Sequence, residues 1–216
     1  MAKLKVGILI SGRGSNMAAL IEAAQGPDYP AEIACVVSNV PDAPGLRIAA
    51  DAGVACAVVS HRAYPGREPF DREISAALEH HGVELVALAG FMRIFSTWFP
   101  ERWGGRLINI HPSLLPSFKG LHVQRQAIAA GVRLSGCTVH FVVPDLDSGP
   151  IIAQAAVPVL ANDTEEALSA RILRQEHRLY PLVVRWFGEG RVEQRDGRVV
   201  VRGVRPGATA LFSGEP

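Results

Sequence analysis

The sequence predicts an α/β fold in which a mostly parallel, open sheet is flanked by helices, and three features carry that reading. Short apolar runs alternate with helical patterns up to Pro150, a glycine-rich turn joins the first strand to the first helix, and a long amphipathic helix and a β-hairpin follow Pro150. Strands separated by helices need crossover connections, which cover both faces of a parallel sheet.

The apolar run at residues 6–10 predicts the first strand, and a helix begins at about Asn16. Residues 33–37 predict the second strand, 46–52 a helix and 55–59 a third strand. Over 70–81, Phe70, Ile74, Ala77 and Leu78 recur at helical spacing and make one apolar face. Residues 85–88 and 107–110 predict two further strands, 124–130 a helix, and 137–143 and 151–159 two more strands. Asn162-Asp163-Thr164-Glu165 supplies capping residues for an amphipathic helix over 164–180. In 191–201, alternating residues flank Asp196-Gly197, a pair suited to a two-residue hairpin turn. Without a linker, repeat or low-complexity segment, residues 1–206 are expected to form a single domain, with 207–216 as a flexible tail.

Of 216 residues 48% are hydrophobic, enough for a substantial core. A net charge of +1 without a long basic run argues against nucleic acid or an anionic membrane as the main partner. Small molecules are the expected partners, with monomer and homodimer both open. Cys35, Cys56 and Cys137 are odd in number, lie in apolar stretches and form no Cys-x-x-Cys pair, so they are expected as buried thiols of a reducing compartment. No apolar run is long enough for a membrane span and the first strand begins almost at once, so the cytoplasm is the expected setting.

Chemistry is expected at Leu107-Ile108-Asn109-Ile110-His111-Pro112-Ser113-Leu114-Leu115-Pro116. Strand alternation puts Asn109 and His111 on one face, and Pro112 ends the strand with His111 at its C-terminal lip, where open α/β sheets bind ligands. Asn is disfavoured inside a strand, and a broken local rule beside an imidazole points to function. Downstream, Val142-Val143-Pro144-Asp145-Leu146-Asp147-Ser148-Gly149-Pro150 opens a strand into an acidic turn able to bring a carboxylate to the imidazole. Amide, imidazole and carboxylate together suit a developing oxyanion. A metal held by Cys137, His140, His111 and Asp147 is the chemical rival. Cys137-x-x-His140 puts its two residues on opposite strand faces, and no metal is expected.

Ser11-Gly12-Arg13-Gly14-Ser15-Asn16 presents backbone amides at a helix N-terminus, which suits a phosphate; a plain connecting turn is the other reading. Met17 stands where a dinucleotide fingerprint needs its third glycine, strand two ends in Ser38-Asn39 rather than an acid, and the P-loop lysine is missing.

This glycine loop, the run from Asn109 to Pro116 and Gln175-Glu176-His177 together resemble the phosphoribosylglycinamide formyltransferase family, over about residues 5–189. The resemblance implies a Rossmann-like formyltransferase fold with a phosphate-binding N-terminal half and a folate-binding C-terminal half. It implies transfer of a formyl group from the co-substrate 10-formyltetrahydrofolate to the amine of 5-phosphoribosylglycinamide, in purine biosynthesis. Asn109, His111 and Asp147 would be catalytic, and Gly14, Ser15 and Asn16 would hold the substrate phosphate. Leu173-Arg174-Gln175-Glu176 would complete the substrate site, with Glu176 on the ribose hydroxyls. Arg67, Met92, Arg93, Ile94, Phe95, Asn109, Val143, Pro144, Asp145, Leu146 and Asp147 would line the folate site. Phe95 replaces the family's usual Leu, Ser148 a common Gly, and Pro144 removes a backbone donor from the folate turn. A 10-formyltetrahydrofolate deformylase would use the same three residues on water, but its extra N-terminal domain finds no room here. Methionyl-tRNA formyltransferase shares the Leu-Leu-Pro signature but needs an RNA-binding domain. A non-catalytic phosphoribosyl- or folate-binding module is the alternative from another class.

Overall fold

The computed structural model describes residues 2–204, so the tail expected at 207–216 lies outside the described residues. In chain order the elements are β1 (Leu4–Ile10), α1 (Ser15–Ala24), β2 (Ala31–Ser38), α2 (Pro44–Asp51), β3 (Cys56–Val58), α3 (Arg67–His80), β4 (Leu85–Leu88) and α4 (Trp98–Arg102). There follow β5 (Leu107–His111), α5 (Val123–Ala129), β6 (Leu134–Phe141), β7 (Ile151–Pro158), α6 (Glu165–Gly188), β8 (Val192–Arg195) and β9 (Arg198–Val201).

Seven strands form one sheet in the order β3-β2-β1-β4-β5-β6-β7. The first five pair in parallel, whereas β6 pairs antiparallel with both β5 and β7. The order reverses between β1 and β4, which makes their carboxyl ends the switch point where ligands of such sheets bind. Both faces are buried because alternate residues of one strand serve different layers. Ile8 and Ile10 of β1 pack with Met17 and Leu20 of α1 and with Leu168, Ile172 and Val183 of α6. Leu9 faces the other way, into a cluster with Phe70, Ile74 and Leu78 of α3 and Phe99 and Trp103 around α4. That second layer ends at Leu107, the first residue of β5. The face of β5 and β6 that carries Asn109, His111 and His140 is left without a helix over it, and loops line it instead.

Some expectations change. The strand expected over 137–143 runs from Leu134 to Phe141, and Val142 and Val143 already belong to the turn. The helix expected to end at Tyr180 continues to Gly188, because Val183, Val184 and Trp186 bury the face that extends past Pro181. Helix α4 was not expected; five residues give no period to read. Cys35 and Cys137 are buried as expected, but Cys56 is exposed, because β3 is the short edge strand of the sheet.

Candidate active site

β5 ends where Pro112 removes a donor, and its alternation places Asn109 and His111 on the uncovered face. His111 is buried. Its Nε2 lies 2.9 Å from the carbonyl oxygen of Phe118, which can only accept, so Nε2 carries a proton there. Its Nδ1 faces Asp147 Oδ2 at 3.6 Å.

Asp147 arrives by an unexpected route. Because β6 is antiparallel, Phe141 lies opposite Ile108 and the Val142 N–H donates to Leu107 O, so β6 ends beside the start of β5. The turn over 142–150 must therefore fold back across the open face to bring its carboxylate to the imidazole. Gly149 allows this fold, since a Cβ there would stand 1.8 Å from the Phe141 carbonyl oxygen. Asp147 adopts a left-handed backbone, φ 48°, which Asp tolerates better than most residues. The Gly120 N–H donates to Asp147 Oδ2 at 2.9 Å, and Lys119 Nζ donates to Ser148 Oγ at 2.6 Å, so the loop after β5 holds the turn. Ser148, a departure from the resembled family, thus has a partner.

The loop after β5 is itself anchored. Thr138, buried on β6, donates to Ser113 O and accepts from the Leu115 N–H and from Gln154 Nε2.

These elements enclose a cleft of about 490 Å³, in the range of small-molecule sites. Met92, Arg93, Ile94, Phe95, Asn109, Val143, Pro144, Asp145, Leu146 and Asp147 all line it with His111. Met92, Ile94 and Leu146 are exposed hydrophobics at its mouth. Phe95 is stacked between Phe91 at 5.2 Å and Phe99 at 4.2 Å, which ties the cleft wall to the second core layer. Arg67 does not line this cleft. It borders a smaller hollow with His61 and Tyr64, which shares only Arg93 and Ile94 with the cleft.

His140, which the sequence offers only as a metal ligand, is the principal residue that sequence reasoning misses. It is buried, directly opposite Asn109 in the strand register, with Nε2 3.3 Å from Asn109 Nδ2 and Nδ1 2.8 Å from the Phe141 carbonyl oxygen. Burial pushes its imidazole below the ordinary value of 6.5, against the pull of the Phe141 carbonyl and of Asp147. An antiparallel reading of β6 would have found the pair. Leu121 and His122 also line the cleft; they sit in a loop with no periodic signal.

The second group of expected residues gathers elsewhere on the sheet edge. Gly14 stands at the N-cap of α1 with φ 71°, no side chain caps that end, and the first intrahelical bond runs from Ala18 N to Gly14 O. The first N–H groups of α1 have no partner within the helix. Asn16 Nδ2 donates to Glu176 Oε2 at 2.7 Å across α1 and α6, while its buried Oδ1 has no partner among the described residues. Burial raises the Glu176 carboxyl above its ordinary range, and the Asn16 bond opposes this. Leu173 and Gln175 are partly buried, and Arg174 is exposed, on the same stretch of α6. The loop after β1 is two strand spacings from β5, about 10 Å. Ser11 links the groups: its Oγ donates to Asn39 Oδ1 and accepts from the Met92 N–H of the cleft wall at 2.8 Å.

Among the described residues, no group of three or more His, Cys, Asp or Glu side chains is arranged to hold a metal ion, and no helix is long and apolar enough to cross a membrane.

A family model described as formyl transferase matches residues 4–184. The chain is 44% identical over 202 residues to the phosphoribosylglycinamide formyltransferase of Escherichia coli, covering 94% of this chain and 95% of that protein. It is 48% identical over 191 residues to the trifunctional purine biosynthetic protein adenosine-3 of Gallus gallus, covering 88% of this chain but only 19% of that protein, so it spans about a fifth of that relative's length. The crystal structure of glycinamide ribonucleotide transformylase 1 from Symbiobacterium toebii superposes with a TM-score of 0.90 at 46% identity, over 92% of this chain and 94% of that one. A formyltetrahydrofolate deformylase from Burkholderia mallei superposes with a TM-score of 0.83 at 34% identity, over 93% of this chain and 70% of that one.

Proposed function

The chain belongs to the formyl transferase family, and from that premise we propose that it transfers the formyl group of 10-formyltetrahydrofolate to the amine of 5-phosphoribosylglycinamide, a step of purine biosynthesis. The observation that carries the chemistry is the meeting of Asn109, His111 and Asp147 on one open face. Near-complete two-way coverage of the Escherichia coli enzyme at 44% identity favours the transferase over the deformylase, which is matched at 34% and over 70% of its length.

The cleft fits a flat co-substrate, with apolar residues at its mouth and Arg93 beside them. 10-Formyltetrahydrofolate would supply an activated formyl carbon there. As the amine attacks that carbon, negative charge grows on the formyl oxygen. Asn109 donates to it through its amide, a donor worth about 3–4 kcal/mol in comparable sites, and the His111 ring beside Asp147 adds positive charge in its protonated form. The attacking nitrogen must shed a proton, and Asp147 accepts it, through water, before it passes to the departing folate nitrogen. At the other end of the substrate, the free N–H groups of the Gly14-Ser15-Asn16 turn hold the phosphate, and Glu176 takes the ribose hydroxyls. Leu173, Arg174 and Gln175 flank that end. The described residues act as one domain, with phosphate binding in the N-terminal half and folate binding centred in the C-terminal half.

The test is to incubate the protein with 10-formyltetrahydrofolate, with and without glycinamide ribonucleotide, and to identify the formyl acceptor. Formyl recovered on the glycinamide amine supports the reading, and formate released without any amine acceptor replaces it with the deformylase.

A further inference from the structure

We propose that His140 is a positioning residue for the oxyanion donor: its neutral ring, protonated on Nδ1, offers Nε2 as an acceptor that turns the Asn109 amide so that an N–H, rather than the carbonyl, faces the reacting atoms. The proposal rests on the formyl-transfer reading of this cleft.

The Phe141 carbonyl oxygen, 2.8 Å from His140 Nδ1, cannot donate, so Nδ1 must carry the proton. In a neutral ring Nε2 is then a lone pair, and 3.3 Å away it meets the Asn109 side chain on the neighbouring strand. An amide oxygen there would set lone pair against lone pair, whereas the amide nitrogen gives one of its two hydrogens to the ring and keeps the other for a ligand. Without this constraint either end of the Asn109 amide could face the cleft, and only the N–H end stabilises an oxyanion.

The groups facing the ring decide its charge. Asp147 Oδ1 at 3.8 Å favours the cation; burial, His111 and Lys119 oppose it. On β7 the register partner is the apolar Ile151. Burial is the largest influence, so the ring stays neutral at neutral pH. Protonation in acid would put an N–H at Nε2, repel the amide nitrogen and reverse Asn109. An acid limb on the transfer rate, below pH 6.5, follows from this reversal.

Three variants and one spectrum test the proposal. His140→Leu, which has no acceptor, should lower the saturated transfer rate about 10- to 100-fold, within the about 100- to 1,000-fold cost of losing an oxyanion donor outright. Folate affinity should stay within about twofold, and on an Asn109→Ala background the same change should cost nothing more. His140→Gln, whose Oε1 can accept in place of Nε2, should recover most of the rate and lose the acid limb. His140→Asn keeps a donor for Phe141 but is too short to reach Asn109, and should show the same loss of about 10- to 100-fold in a folded protein even where the Leu variant fails to fold. Nitrogen-15 NMR of the ligand-free protein should show the Nδ1–H tautomer. An Nε2–H tautomer, or equal losses from His140→Leu with and without Asn109, would overturn the proposal. A wild type that transfers no formyl to the amine would overturn the reading beneath it, and the ring tautomer would still decide the geometric claim.

Discussion

Asn16 and Glu176 are 160 residues apart in the chain and 2.7 Å apart in space. Asn16→Asp would set a second carboxylate against Glu176 and against a substrate phosphate. We expect glycinamide ribonucleotide binding to weaken at least about tenfold, or 1.4 kcal/mol, with folate binding unchanged. Calorimetry with each ligand in turn measures this, and equal weakening of both would argue against two separate subsites. At this scale the sequence was readable where a residue broke a local rule. Asn109 is a poor strand former beside an imidazole, Pro112 marks the strand end, and Asn109, His111 and Asp147 line one cleft. His140 was not readable in the same way. A histidine in an apolar run signals nothing until its cross-strand neighbour is known, and that neighbour depends on strand direction. Arg67 fell outside the cleft because helix α3 begins at that residue and turns it towards a separate hollow.

Helix α6 holds Glu176, the acid proposed for the ribose hydroxyls, and the buried Tyr180, whose hydroxyl reaches the carbonyl oxygens of Leu88 and Ile108 under the site. Its start is defined by Thr164, whose Oγ1 accepts from the Ala167 N–H, and by Arg171, which makes two bonds to Asp163 at 2.7 and 2.8 Å. Thr164→Ala should cost about 1 kcal/mol, seen as a lower midpoint in urea unfolding with the slope unchanged. Arg171 holds the Asp163 carboxyl down at about 2, against an ordinary 3.8. A depressed acid adds stability above its unfolded value and loses it as pH falls through the folded one. Between about pH 4 and pH 2, wild-type stability should therefore fall more steeply than that of Asp163→Asn, as measured by urea unfolding at each pH. Coincident slopes would mean that the pair does not persist in solution. The capping residues were legible because a cap is a local pattern. The two turns beyond Tyr180 were not, since Pro181 reads as a stop unless the burial of Val183 and Val184 is known.

At the scale of the whole molecule, the alternation of strands and helices conveyed the layered architecture but not the direction of its last strands. Direction depends on whether a connection returns the chain to the starting edge of the sheet, and periodicity does not record this. The antiparallel β6 has functional weight. It sets His140 opposite Asn109, and it makes the turn over 142–150 cross the open face with Asp147. The glycine loop and the cleft then lie along one sheet edge, joined through Ser11 and Met92. The central claim is that charge on the formyl oxygen is stabilised on that open face of β5. Its most direct test is the single-turnover transfer rate of His111→Ala, with both ligands saturating and folding checked independently. The account predicts a rate about 100- to 1,000-fold below wild type, with folate affinity largely retained, because the imidazole acts on charge that appears only in the transition state. A folded variant that turns over at nearly the wild-type rate would contradict it.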